Sequence, residues 1–66
     1  MLIKVNGKDE NLIDDLTLAG LISVKGLCAQ RIVIEHNFNI VPKSQWEKVL
    51  LKDNDTVEII SFVGGG

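Results

Sequence analysis

The sequence predicts an α+β fold in which one helix packs on one face of a mixed β-sheet. Three observations support this class. The chain has 66 residues, which is the size of a single domain. Short apolar segments separated by turn residues are typical of strands, and one segment near residue 20 has the periodicity of a helix. A sheet with one apolar face buries it most economically beneath one helix.

The N-terminal segment predicts a β-hairpin. Leu2–Val5 is expected to form a short strand, and Asn6-Gly7 is the dipeptide most typical of a two-residue hairpin turn. A second and more polar strand is expected over residues 8–13. The chain therefore begins with two antiparallel strands.

The main helix is predicted directly after this hairpin. Leu18, Leu21 and Ile22 have the spacing i, i+3, i+4, which places their side chains on one face of a helix. Thr17 can cap the first turn, and Gly26 fits the left-handed residue that ends a helix. The apolar face of this helix is expected to cover the sheet.

A second hairpin is predicted in the middle of the chain. Residues 30–36 form a third strand, residues 37–39 a turn, and residues 40–41 a short fourth strand. Phe38 lies inside this turn, and phenylalanine resists positive φ. We therefore expect Asn37 or Asn39 to adopt the positive φ that the turn requires.

The C-terminal part predicts a short helix and a last strand. Residues 44–47 read Ser-Gln-Trp-Glu, which has the form of a capping box and predicts a short helix or turn over residues 44–49. Trp46 is expected to anchor this segment on the core. Residues 56–63 form the last strand, whose branched apolar residues are typical of a central strand. With about five strands and the first and last side by side and parallel, this order of elements is the ubiquitin-like β-grasp.

Alternation along the strands predicts an apolar patch on the sheet face that points away from the helix. Successive strand residues point to opposite faces. The residues expected to face the helix are Ile3, Val5, Ile32, Ile34, Val57 and Ile59. The opposite, open face then carries Leu2, Val33, Ile60 and Phe62, with Lys4, Arg31, Glu35 and Glu58 around them. Clustered apolar side chains on a flat face indicate a docking surface for a partner. The alternative is a small domain that simply exposes a few apolar side chains.

Composition and charge argue against several classes of function. The net charge is −2, so no basic field attracts nucleic acid or an anionic membrane. No apolar run is long enough to span a bilayer, and the cytoplasm is the expected location. The single cysteine, Cys28, is expected to be a half-buried apolar residue, and His36, the only histidine, to serve a turn. We expect no metal site, no bound cofactor and no catalytic residue.

The last residues of the sequence are Val63 and three glycines, Gly64, Gly65 and Gly66. One interpretation is a poorly ordered end, which is common. The other is that the terminal carboxylate is the reacting group, because glycines without Cβ atoms can enter a narrow site. We expect residues 1–63 to form the domain and residues 64–66 to be a flexible tail, with Val63 part of the docking surface.

Four segments resemble the ThiS family, the sulfur carrier proteins of thiamine thiazole synthesis. They are IKVNG at residues 3–7, LTLAGLI at 16–22, IVPKSQWEK at 40–48 and VEIISFVGGG at 57–66. The resemblance covers the whole chain. Two departures are Phe38, where the family often has the glycine of an Asn-Gly turn, and Lys43 in place of the more usual arginine.

The resemblance implies a chemistry centred on Gly66. An adenylating, E1-like activating enzyme uses ATP to activate the Gly66 carboxylate. A sulfur donor, such as a cysteine desulfurase system, then supplies a persulfide, and a C-terminal thiocarboxylate forms. Thiazole synthase takes the sulfur from it. The resemblance thus implies a carrier that acts as a co-substrate of partner enzymes and is not itself an enzyme.

Three alternatives remain open from the sequence. The nearest is the small subunit of molybdopterin synthase, whose chains are usually longer and typically end in Ala-Gly-Gly, unlike Val63-Gly64 and the glycines that follow here. The second is a protein modifier that becomes conjugated to lysine amines. The third is an interaction module with an incidental tail.

Overall fold

Five strands form one mixed sheet in the computed structural model, which describes residues 1–62, and the strand order is β2-β1-β5-β3-β4. The strands are β1 (Leu2–Val5), β2 (Lys8–Asn11), β3 (Ile32–His36), β4 (Asn39–Val41) and β5 (Thr56–Ser61). β1 and β5 are parallel, whereas the other neighbouring pairs are antiparallel. This arrangement confirms the mixed sheet with parallel first and last strands.

The helix α1 (Leu18–Lys25) begins and ends as the sequence predicts. The Thr17 Oγ1 atom accepts a hydrogen bond from the Gly20 N–H at 3.0 Å, which satisfies one of the free amides of the first turn. Gly26 has a φ of 67°, and the Leu27 N–H donates to the Ile22 carbonyl at 3.1 Å. The positive φ of Gly26 and this hydrogen bond form the left-handed helix end that is expected for glycine at this position.

The core lies between α1 and the inner face of the sheet. It consists of Ile3, Val5, Leu16, Leu18, Leu21, Ile22, Ile32, Ile34, Trp46, Leu51 and Val57. The inward set predicted from alternation is therefore buried, except that Ile59 is only partly buried against this core. Within the described residues, no helix is long and apolar enough to cross a membrane.

The first hairpin closes through Asn6 and Gly7, whose φ angles of 50° and 80° are those of the predicted two-residue turn. The second strand was predicted too long, because it ends at Asn11 and not at residue 13. Asn11 pairs with Leu2, the first residue of β1. Beyond this pair the Leu12 N–H donates to the Met1 carbonyl at 2.8 Å and the Met1 ammonium group donates to the Leu12 carbonyl at 2.7 Å, so the hairpin ladder reaches the first residue of the sequence.

The second hairpin closes with Asn37 and Phe38, whose φ angles are 48° and 71°. Asn37 takes a positive φ as expected, but the expectation that Phe38 would avoid one is wrong. His36 pairs with Asn39, so the loop has only two residues, and it adopts the type I′ turn, which needs a positive φ at both of them. The Phe38 side chain is 79% exposed, so no packing contact opposes this conformation.

Two further details of local structure differ from the prediction. The third strand begins at Ile32, because Ala29–Arg31 forms a 3₁₀ helix. The segment after Pro42 is a 3₁₀ helix, Lys43–Lys48, which confirms the predicted short helix or turn, but it has no side-chain cap, so the capping box was wrong. Trp46 holds this segment, as expected. Its ring is buried and its Nε1–H donates to the Val41 carbonyl at 2.9 Å, which anchors this segment on the core.

Candidate functional site

The open face of the sheet carries an apolar patch on its two central antiparallel strands. Val33 on β3 lies directly opposite Ile60 on β5, and Phe62 follows one pleat further along the chain. Ile60 is 48% and Phe62 49% exposed, whereas Val33 is half-buried. We call Val33, Ile60 and Phe62 the open-face patch.

The hydrogen-bond ladder between β3 and β5 fixes the position of this patch. The Phe62 N–H donates to the Arg31 carbonyl at 3.0 Å, so the antiparallel pairing continues one residue beyond the last residue of β5. Ile34, next to Val33 in sequence, is fully buried on the other face. Since successive strand residues alternate between faces, Val33, Ile60 and Phe62 are held away from α1.

Leu2 does not belong to this patch, and the prediction of one cluster that includes it is wrong. Lys4 pairs with Thr56 in the parallel ladder, which places Leu2 level with Asn54. Ile60 lies six residues beyond Asn54, which at about 3.3 Å per residue is a separation of roughly 20 Å along the sheet. Leu2 shares the face with the patch but lies towards its opposite end.

Ile40 is an exposed apolar residue of the same face that the prediction missed. It lies opposite Glu35 on the edge strand β4 and is 67% exposed. Its neighbour Val41 packs against the core, so alternation places Ile40 on the open face. The signal was present in the sequence, but β4 is too short for its alternation to be read with certainty.

Two carboxylates lie beside the open-face patch. Glu35 and Glu58 are directly opposite each other in the β3–β5 ladder. Within residues 1–62 neither of them forms an ion pair. Like charges at opposite positions destabilise a sheet, so this pair contributes no stability to the fold. An apolar surface bordered by charged residues is suited to a protein partner.

A polar cluster holds the beginning of β5. The Asp55 carboxylate accepts hydrogen bonds from His36 Nε2–H at 2.8 Å, the Asn37 amide at 3.1 Å and the Lys52 N–H at 2.9 Å. Burial raises the pKa of Asp55, but these hydrogen bonds and the charge of His36 outweigh it, so the pKa lies below its ordinary value. His36 therefore serves the turn region, as expected.

Cys28 does not take the half-buried position that was predicted for it. The residue is exposed, and its Sγ lies 3.4 Å from Gln30 Oε1. It lies directly before the 3₁₀ helix Ala29–Arg31. Val63, Gly64, Gly65 and Gly66 lie outside the described residues, so their predicted roles remain predictions.

The parallel β1–β5 pair, the single covering helix and the open face together define a protein of the ubiquitin-like β-grasp class. The crystal structure of the thiamine biosynthesis protein ThiS from Geobacter metallireducens superposes with a TM-score of 0.87 and 29% identity, over the full length of both chains. The ThiS family model matches residues 3–66, and this chain belongs to the ThiS family.

The chain matches one relative over the full length of that relative and another over a small part of it. It is 35% identical to the sulfur carrier protein ThiS of Bacillus subtilis, over 98% of this chain and 100% of that protein. It is also 35% identical, over its whole length, to a thiazole synthase of Paramagnetospirillum magneticum. The chain spans only 20% of that synthase and 20% of the thiazole synthase of Magnetococcus marinus.

Proposed function

We propose that this chain is a sulfur carrier of thiamine biosynthesis and that the carboxylate of Gly66 carries the sulfur. The observation that carries this proposal is the open-face patch, whose residues Ile60 and Phe62 lie a few positions before the glycines in the sequence. Membership of the ThiS family supports it, since the match extends to Gly66. The full coverage of the Bacillus carrier is a second support.

Activation of Gly66 requires a partner enzyme and ATP. An α-carboxyl group has a pKa of about 3.5, so it is an anion at neutral pH and a poor electrophile. In the proposed first step a carboxylate oxygen attacks the α-phosphorus of ATP, pyrophosphate leaves, and an acyl adenylate forms. An E1-like adenylating enzyme supplies the site for this step.

Sulfur enters in the second step. The terminal sulfur of a persulfide, supplied by a donor such as a cysteine desulfurase system, attacks the acyl carbon, and AMP leaves with the electrons of the C–O bond. A thiol reductant then cleaves the S–S bond, which releases the Gly66 thiocarboxylate and a disulfide. The chain contributes the reacting carboxylate and a docking surface, and the catalytic groups belong to its partners.

Thiazole synthase is the proposed acceptor of this sulfur. Two thiazole synthases contain a segment that is similar to the whole of this chain. This supports a functional interaction between the carrier and a thiazole synthase. The residues that we propose for docking are Val33, Ile60, Phe62 and Val63. Because the proposed reactions consume ATP, we propose the cytoplasm as the location of the protein.

Intact-mass analysis of a Cys28→Ser variant tests the carrier function. The variant is incubated with ATP, a persulfide donor and the adenylating enzyme of the same organism. We expect a mass gain equal to the replacement of one oxygen atom by sulfur. The exposed Cys28 thiol is removed so that a thiol-alkylating reagent reports only the thiocarboxylate. This distinguishes it from oxidation, which has nearly the same mass change.

Deletion of Gly66 is the matched control. The shortened chain is expected to fold normally and to gain no alkylatable group. If the shortened chain forms as much thiocarboxylate as the full chain, the proposal that the Gly66 carboxylate carries the sulfur is refuted. Covalent adducts on lysines of other proteins, in place of a thiocarboxylate, would indicate a protein modifier.

A further inference from the structure

The second half of β5 has a neighbouring strand on one side only. The β1–β5 ladder contains two pairs, Lys4–Thr56 and Val5–Val57, and β1 then turns away at Asn6. The β3–β5 ladder in contrast continues to the pair of Ile32 with Ser61. Within residues 1–62, β5 therefore has an open edge beyond the end of β1.

Two hydrogen bonds show which backbone groups point to this edge. The Thr56 carbonyl accepts from the Asn37 N–H at 2.8 Å, and the Phe62 N–H donates to the Arg31 carbonyl at 3.0 Å. Even-numbered residues of β5 therefore direct their backbone groups towards β3. Because these directions alternate along a strand, Ile59 and Ser61 direct theirs towards the open edge.

One of these edge groups already has a partner. The Ile59 N–H donates to Asn6 Oδ1 at 2.7 Å, so the side chain of the turn residue acts as the last member of the β1 ladder. The Ile59 carbonyl and the Ser61 N–H are the next acceptor and donor along the edge. No strand of residues 1–62 pairs with them.

A groove of about 340 Å³ gives access to this edge. Ile59, Ser61 and the turn residue Asn6 line it. Lys25 and Glu10 line it as well, and their Nζ and Oε2 atoms lie 2.8 Å apart. The groove therefore combines apolar and charged side chains with residues of the open edge of β5.

We propose that an extended segment of the thiazole synthase pairs with β5 at this edge, accepting a hydrogen bond from the Ser61 N–H and donating one to the Ile59 carbonyl. This inference rests on the proposed function. In a parallel ladder, a residue of the added strand that lies opposite Ile60 donates its N–H to the Ile59 carbonyl and accepts from the Ser61 N–H at its own carbonyl. The two free groups of this edge therefore fit a parallel strand. Added strands of this kind are a common mode of peptide recognition.

The position of the edge indicates what such pairing would do. Ser61 is two residues before Val63 and immediately precedes Phe62 of the open-face patch. Two strands joined by a hydrogen-bond ladder can pair only in discrete registers, and a shift by one residue moves one strand about 3.3 Å along the other. Two apolar surfaces have no such fixed positions and can slide past each other. Pairing at Ser61 would therefore set how far the glycines extend into the synthase, and the patch would supply the contact area.

Ser61→Pro is the direct test, because proline removes one N–H that β3 does not use. Proline is tolerated in a strand where its nitrogen faces an open edge. We expect the variant to keep the amide spectrum of the fold and to bind the thiazole synthase at least about tenfold more weakly. Ser61→Ala keeps the N–H and should bind as the wild type does. Equal binding by a folded Ser61→Pro variant would overturn the inference.

Amide hydrogen exchange gives a second test. It uses the wild-type chain, so its result does not depend on whether a variant folds. In the free protein the Ser61 amide should exchange rapidly and the Ile60 amide, bonded to β3, slowly. On binding the synthase, the Ser61 amide should slow by at least about tenfold. If the synthase binds and Ser61 exchange is unchanged, this inference fails and the carrier function stands.

Other occupants of the edge produce different results. Slow Ser61 exchange in the free protein that depends on concentration would indicate a second copy of this chain, and slow exchange independent of concentration would indicate the chain's own last residues. Either outcome would overturn the proposal. A synthase that does not bind at all would refute both the inference and the proposed partner.

Discussion

The two halves of β5 have opposite surroundings. Val57, in the first half, lies between β1 and β3 and is fully buried beneath α1. Ile60, in the second half, pairs with β3 alone among the strands of residues 1–62 and is 48% exposed. The first half therefore contributes to the stability of the domain, and the second half is available to a partner. One strand serves both purposes because its two ends lie at different distances from the core.

The first hairpin turn determines where the two halves meet. The Asn6 N–H donates to the Val57 carbonyl at 2.9 Å, and its side chain accepts from the Ile59 N–H at 2.7 Å. Beyond Asn6 the chain reverses into β2, so β1 has no residues left to pair with Ile60 or Ser61. A short first strand thus exposes the end of the last strand.

Val57→Ala should have the largest effect on stability. The substitution removes two buried methyl groups and leaves a cavity between α1 and the sheet, so we expect a loss of about 2.5 kcal/mol in the free energy of unfolding. Urea denaturation measures it. A loss no greater than that of Phe62→Ala would mean that the strand faces are assigned the wrong way round.

Asp55→Ala should destabilise the first half of β5 nearly as much. Three hydrogen-bond donors, from His36, Asn37 and Lys52, would lose their shared acceptor. We expect a loss of about 2 kcal/mol, with faster amide exchange at Thr56 than at Ile60. Uniform acceleration along β5 would contradict the independence of its two halves.

The pH dependence of stability follows from the same residue. The pKa of Asp55 is lower in the folded than in the unfolded chain, so its stabilising effect is complete above the unfolded value of about 3.9. It is lost as the pH falls through the folded pKa. Between pH 7 and pH 2 the wild type should therefore lose more stability than Asp55→Ala. Equal losses would show that Asp55 does not contribute.

Asn6→Gly tests the boundary between the halves. Glycine tolerates the positive φ of this turn but cannot accept the hydrogen bond from Ile59. We expect a loss of about 1 kcal/mol on thermal or chemical unfolding. Asn6→Asp keeps an acceptor oxygen and should lose less. If both variants are equally stable, the side-chain bond contributes nothing to the end of the ladder.

Phe62→Ala should have the smallest effect on stability and a large one on binding. Phe62 is 49% exposed, so the free energy of unfolding should change by less than about 1 kcal/mol. Binding to the activating enzyme or the synthase should weaken by at least about tenfold, and Phe62→Asp should bind more weakly still. Leu2→Ala, an exposed apolar residue at the far end of the same face, is the matched control and should bind normally.

The sequence by itself determined those features that depend on neighbouring residues. The Asn6-Gly7 turn, the Thr17 cap and the Gly26 helix end are decided by local sterics and by hydrogen bonds within a few residues. Alternation also gave the correct faces for Val33, Ile60 and Val57, because the side-chain period of a strand is fixed by its backbone.

The tertiary structure decided how far each strand pairs and what lies beside it. Alternation gives the face of a residue but not its position along the sheet, so Leu2 was grouped with residues roughly 20 Å away. The pairing of Lys4 with Thr56 joins distant parts of the chain, and no local signal encodes it. The same holds for Phe38, whose positive φ is imposed by the pairing of the strands on either side. The open edge at Ser61 arises likewise, because it depends on where β1 ends relative to β5.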